Sequence, residues 1–146
     1  MDNDRAYPPR PILAASVAVF REGQVLLARR ARAPMNGLYT LPGGVVEIGE
    51  TMREAALREL MEEVGIVARI VTFNDHVESI VRRPGGVESH YVIASFVAHW
   101  VTGEPHVSAE ADAVNWFSPD SIGHLETTPG LASIVARARS LIGLAP

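Results

Sequence analysis

Apolar positions along this chain follow two rhythms, compact β-rich runs and two stretches at helical spacing. Residues 14–20 (AASVAVF) and 25–30 (VLLARR) flank Arg21, Glu22, Gly23 and Gln24, a turn signal that predicts a hairpin. Residues 38–41 (LYTL) predict a further strand, which Pro42, Gly43 and Gly44 end by freeing the backbone. Residues 51–64 predict a helix. Thr51 is its N-cap, Glu54 three positions on completes a capping box, and Gly65 closes it at the C′ position. Residues 66–81 predict two or more strands, broken near Asn74 and Asp75. A turn at Pro84, Gly85 and Gly86 precedes the most apolar strand, residues 89–101 (SHYVIASFVAHWV). After a turn at residues 102–105, residues 113–117 predict a short strand, with Ser118, Pro119 and Asp120 capping and starting a helical turn. Leu131, Ile134, Val135, Ala138, Leu141 and Ile142 then repeat at helical spacing behind Thr128 and Pro129.

Strands interleaved with two amphipathic helices predict one α/β domain, an α/β/α sandwich with a mixed β-sheet, over residues 12–146. Residues 1–11 (MDNDRAYPPRP) are polar and proline-rich and predict a flexible N-terminal arm rather than a secretory signal. The 146 residues are 47% hydrophobic, enough for a substantial core. No apolar run approaches the roughly 18 residues of a membrane span. With no cysteine, thiolate catalysis, thiolate metal sites and disulfides are excluded, and the expected compartment is the cytoplasm. Net charge is −4 and no basic cluster exceeds Arg29-Arg30, which argues against a nucleic-acid polymer as partner.

The chemistry is concentrated in the predicted first helix. Glu59, Glu62 and Glu63 stand at i, i+3 and i+4, so at about 100° per residue they share one face. Three crowded carboxylates repel unless a cation sits among them, and oxygen donors suit a hard divalent ion. Ala55, Ala56, Leu60 and Val64 form the opposite, apolar face. A merely solvated acidic face would leave unexplained Arg58 just before the cluster, Glu50 one turn before the helix, and the paired glycines Gly43 and Gly44.

Gly44, Glu50, Arg58, Glu59, Leu60, Glu62, Glu63, Gly65 and Ile66 occur in the order G-x5-E-x7-R-E-U-x-E-E-x-G-U, where U is aliphatic. This resembles the signature of the Nudix hydrolase family, with every identity present and no insertion or deletion. The resemblance implies an enzyme, a pyrophosphohydrolase that cleaves a nucleoside diphosphate linked to another moiety with Mg2+ or Mn2+. It implies metal ligation by Glu59, Glu62, Glu63 and the Gly43 carbonyl. Arg58 would orient the glutamates, while Gly44, Glu50 and Gly65 support the loop and helix. The general base would be Glu59 or a residue outside the signature. Glu110 is the outside candidate, because it precedes Trp116 and Phe117 at a spacing seen in the family. The stretches PILAASVAVF, VLLARR and GLYTLPGGVVEIGET look most like small ADP-ribose pyrophosphatase-type members. The alternatives are a MutT-type nucleoside triphosphate pyrophosphatase and, from a different class, a nucleotide sensor without catalysis. Related enzymes are often homodimers.

Outside the signature, Arg29 and Arg30 end a strand and are read as a phosphate clamp, Arg30 preferred, against a pair of surface charges. Glu47 stands where it could reach metal or substrate, or solvent alone. The five histidines lack metal-ligand spacing and read as surface or packing residues. His90 and Tyr91 are candidates to face a nucleotide, and Trp116 and Phe117 read as core.

Overall fold

The computed structural model describes residues 5–144. Its elements are β1 (Ile12–Arg21), β2 (Gln24–Arg30), β3 (Tyr39–Thr40), β4 (Gly43–Val45), α1 (Met52–Val64), β5 (Val67–Arg83), β6 (Gly86–Thr102), β7 (Ala111–Phe117), a 3-10 helix (Pro119–His124) and α2 (Leu131–Leu144). The sheet is mixed and runs β3-β2-β1-β6-β5, with β4 added to β1 and β7 to β2. Only the β1–β6 pairing is parallel among these ladders, with Ser16 opposite Ser95 and Val17 opposite Phe96.

Alternation along the strands divides the core into two layers. Val17, Val19, Leu26 and Ala28 face one side and pack on Ala55, Ala56, Leu60 and Val64 of α1. Ala18, Phe20, Val25 and Leu27 face the other and pack on Leu131, Ile134, Val135 and Ala138 of α2. The result is the predicted α/β/α arrangement. Trp116 packs against the first layer and Phe117 against the second, so both belong to the core as read from sequence.

The β1–β2 hairpin closes in two residues, Glu22 and Gly23, both at positive φ (52° and 81°), the turn whose twist matches paired strands. Three elements differ from the sequence reading. Residues 66–81 do not divide into separate strands: β5 is continuous, and the ladder instead skips Asn74, Phe73 pairing with Phe96 and Asp75 with Ser95. That bulge turns Asn74 inward, where its amide donates to the Ile134 carbonyl at 3.0 Å while its own carbonyl accepts from Arg137 Nε at 3.0 Å. Gly43 and Gly44 belong to a strand, β4, rather than an open loop, because without a Cβ they can lie directly on β1. A Cβ on Gly43 would stand 2.3 Å from the Ala15 carbonyl oxygen. Pro129 precedes α2 in a turn that ends at Gly130, so the helix begins at Leu131.

Of the predicted N-terminal arm, residues 1–4 lie outside the described residues. Tyr7 donates its backbone N–H to the Glu88 carbonyl at 2.8 Å, so this part runs beside the β5–β6 hairpin. Among the described residues no helix is long and apolar enough to cross a membrane.

Candidate active site

The helix that carries the acids is held at both ends by local bonds. Thr51 Oγ1 accepts from the Glu54 N–H at 3.1 Å and Glu54 Oε1 accepts from the Thr51 N–H at 2.8 Å. Such a cap contributes about 1 kcal/mol. At the other end Gly65 adopts the left-handed conformation (φ 77°) and donates to Met61 O at 3.0 Å. With Ala55, Ala56, Leu60 and Val64 fully buried, the rotation of α1 is set, and its acidic side is turned toward β4.

Arg58 is the hub of that side. Its Nε donates to Glu50 Oε2 at 2.6 Å and its Nη2 to Glu50 Oε1 at 3.0 Å. Nη2 also reaches the Val45 carbonyl, and Nη1 donates to Glu59 Oε2 and to Glu62 Oε1, each at 3.0 Å. Glu50 Oε1 accepts in addition from the Glu47 N–H at 3.1 Å. One guanidinium thus ties loop, strand and two of the helix carboxylates together, the orienting role expected of it. Bonding to Arg58 holds the Glu50 carboxyl below the ordinary range, and Arg58 itself is held firmly protonated, chiefly by Glu50.

Two carboxylates are desolvated. Glu59 accepts from Arg58 through Oε2, but its Oε1 is buried with no hydrogen-bond partner among the described residues. Burial raises its pKa, opposed mainly by the Arg58 bond, with Glu110 adding to the rise. Glu63 is only 7% exposed. Its Oε1 accepts from the Gly43 N–H at 3.2 Å, yet burial, with help from Glu110 and Glu59, pushes its pKa up to about 7. Glu62, by contrast, is exposed. Gly44 permits this crowding: a Cβ there would lie 2.3 Å from the Glu59 carboxyl carbon.

Gly43, Gly44 and Glu63 form one end of a cavity of about 650 Å³ that is also lined by Arg30 and Glu110. Residue Glu110 is 47 positions from Glu63 in sequence; the β2–β7 ladder and the Ala31 N–H to Glu110 O bond (3.0 Å) bring it there. Arg30 donates to the Pro34 carbonyl at 2.8 Å, holding the loop that follows β2, and its charge opposes the rise at Glu63. Arg29 is not brought to the cavity. Its Nε goes to Asp112 Oδ1 at 2.7 Å on the adjoining strand, because consecutive strand residues point to opposite faces. The Glu47 side chain is exposed and stands outside the cavity lining. Tyr91 lines the cavity and His90 does not, for the same alternation. Sequence reasoning missed Ser16 and Ser95, whose hydroxyls bond at 3.0 Å in the cavity wall next to Gly43. A small polar residue inside each of two otherwise apolar strands was the available signal.

These acids supply the oxygen donors a hard divalent cation requires. Among the described residues no three carboxylate or imidazole groups already converge on one point. Glu59 and Glu62 are drawn to Arg58 and Glu63 to Gly43. The unpaired Glu59 oxygen and the protonation-prone Glu63 are nevertheless the groups an incoming cation would relieve, so the donor set fits.

Comparison with known proteins agrees. The NUDIX domain model matches residues 10–138, and the chain belongs to the Nudix hydrolase family. It is 30% identical over 115 residues to an ADP-ribose pyrophosphatase of Methanocaldococcus jannaschii, covering 79% of this chain and 66% of that protein. It is 36% identical over 136 residues to the NAD-capped RNA hydrolase NudC of Vibrio cholerae, covering 92% of this chain but 45% of that one. The chain therefore spans just under two thirds of the first relative and less than half of the second. The crystal structure of a MutT NUDIX hydrolase from Burkholderia pseudomallei superposes with a TM-score of 0.77 at 31% identity, covering 88% of this chain and 98% of that one.

Proposed function

We propose that the protein hydrolyses the pyrophosphate linkage of a nucleoside diphosphate joined to another moiety, ADP-ribose foremost, with Mg2+ or Mn2+ as cofactor. The observation that carries this reading is the gathering of Glu59, Glu62 and Glu63 with Gly43 and Gly44 around Arg58, at one end of a cavity shared with Arg30 and Glu110. Glu59, Glu62, Glu63 and the Gly43 carbonyl would hold the cation. When bound, it polarises the reacting phosphorus and offsets the charge of the leaving phosphate.

The remaining work falls to the chain. Arg58 orients Glu59 and Glu62, and Glu50 fixes Arg58 in turn. Arg30 pairs with phosphate oxygens at the cavity wall. Glu110, which lines the cavity and is not bound to Arg58, takes the proton of the attacking water on its carboxylate. Glu59 is the alternative acceptor, but the Arg58 bond to Oε2 makes that oxygen the poorer base.

The name of the archaeal relative supports ADP-ribose as the first substrate to try, and that of the Burkholderia structure supports a MutT-type triphosphate activity as the rival. Product analysis separates them. ADP-ribose would give AMP and ribose 5-phosphate, whereas a triphosphate would give a nucleoside monophosphate and pyrophosphate. Hydrolysis should stop with EDTA and return with Mg2+ or Mn2+; full turnover in metal-free buffer refutes the mechanism. Binding without turnover of any of these compounds would mean a sensor.

A further inference from the structure

The cavity extends well beyond the acidic residues. On β6, Ser89, Tyr91, Ile93 and Ser95 alternate along one face and all line it. Ser95 bonds Ser16, which is paired with Gly43, and so marks the end next to the glutamates. Ser89 stands six residues away, about 20 Å at ordinary strand rise. The cavity is thus long enough for a pyrophosphate and a further ring beyond it.

At that remote end one group has no partner. Ser89 is 3% exposed, and its hydroxyl makes no hydrogen bond. Buried hydroxyls are rarely left unsatisfied, and one aimed into a cavity marks where a ligand's polar atom belongs. Other hydroxyls accompany it: Tyr91 lines the cavity and Ser79 lies opposite Tyr91 on β5. Val77 and Ile93, also a cross-strand pair, supply an apolar wall. Charge is balanced here. Glu78 and Glu88 are matched by Arg5, brought in by the segment that Tyr7 ties to Glu88, and by Arg83, which binds Glu88 at 2.7 Å. A further phosphate would find no excess of positive charge, whereas a neutral ring bearing hydroxyls would find both donors and acceptors and an apolar surface.

We infer that Ser89, Ser79 and Tyr91 form a sugar-binding subsite about 20 Å from the glutamates, specific for the hydroxyls of a neutral ring. The inference rests on the proposed function for the position of the phosphates. The ring can be the nucleoside's own ribose or a sugar on the outer phosphate, and the same experiment separates the two.

Affinities for ADP-ribose, ADP and inorganic pyrophosphate are measured by calorimetry in EDTA, so that turnover does not enter. The wild-type protein should bind ADP-ribose more tightly than pyrophosphate. Ser89→Ala should reduce that preference about ten-fold, the effect of one lost hydrogen bond in a buried site. Tyr91→Phe, which keeps the ring and removes only the hydroxyl, should act in the same direction. A loss confined to ADP-ribose places the outer sugar at Ser89, and an equal loss on ADP places the nucleoside ribose there. A wild-type protein that does not distinguish ADP-ribose from pyrophosphate overturns the subsite. So does wild-type preference in both variants, or an equal loss on pyrophosphate. Failure of hydrolysis in a separate assay with Mg2+ would instead count against the proposed reaction.

Discussion

Arg58 grips both carboxylate oxygens of Glu50, Nε to Oε2 at 2.6 Å and Nη2 to Oε1 at 3.0 Å, and so anchors the loop before α1 to the helix. Only a planar fork can make this pair of bonds while Nη1 reaches Glu59 and Glu62. Arg58→Lys keeps the charge and loses the fork. It should lower kcat by about ten- to a hundred-fold and weaken Mg2+ activation, the scale seen when a ligand's supporting residue is lost. Circular dichroism should remain that of the wild-type fold. Wild-type kcat in Arg58→Lys would reduce Arg58 to an ordinary ion pair.

Gly44 tests the close approach of strand and helix. In Gly44→Ala the new methyl would stand 2.3 Å from the Glu59 carboxyl carbon, so that side chain must swing away. Activity should fall by about ten-fold or more, since small displacements of catalytic groups are costly, while α1 stays folded on its apolar face. A metal-activation curve identical to wild type would mean that Glu59 does not need its present position.

Glu63 predicts how stability varies with pH in the metal-free protein. Its folded pKa is raised to about 7 from an ordinary value of 4.5. Between those values the folded state keeps a proton that the unfolded chain has released, so stability falls as pH rises through this window. Above pH 7 the whole penalty applies, on the order of 3 kcal/mol for a shift of this size. Glu63→Gln should flatten this part of the profile and raise the melting temperature in EDTA at pH 8 relative to wild type. Melting curves at pH 5 and pH 8 check it, and an unchanged slope in the variant would assign the penalty elsewhere.

The proton acceptor is tested by two isosteric changes at saturating Mn2+, with metal affinity measured alongside. Glu110→Gln should lower kcat by about two orders of magnitude or more and flatten the acidic limb of the pH–rate profile. Glu59→Gln should act more through metal affinity, with kcat partly recovered at high metal. Should Glu59→Gln abolish turnover at full occupancy while Glu110→Gln costs little, the roles are reversed.

How much of this was legible beforehand follows the range of the interactions involved. Thr51, Glu54 and Gly65 bound α1 through bonds between residues three or four apart, and the apolar stripe Ala55, Ala56, Leu60 and Val64 follows helical periodicity, so a short window of sequence contains both. The family signature lies within residues 43–66, and the two-layer α/β/α arrangement follows from strand alternation on either side of it.

Tertiary structure decided what depends on which strands meet. The separation of Arg30, in the cavity, from Arg29, bound to Asp112, depends on which face of β2 the fold turns inward. Asn74 reads as a strand breaker until α2 offers the Ile134 carbonyl and Arg137, which let β5 continue through a bulge. The desolvation that raises Glu63, and the isolation of the Ser89 hydroxyl, come from burial by segments distant in the chain. Local hydrogen bonds and periodicity are properties of neighbouring residues. Burial and cross-strand partnership belong to the packed assembly, which no single window of sequence contains.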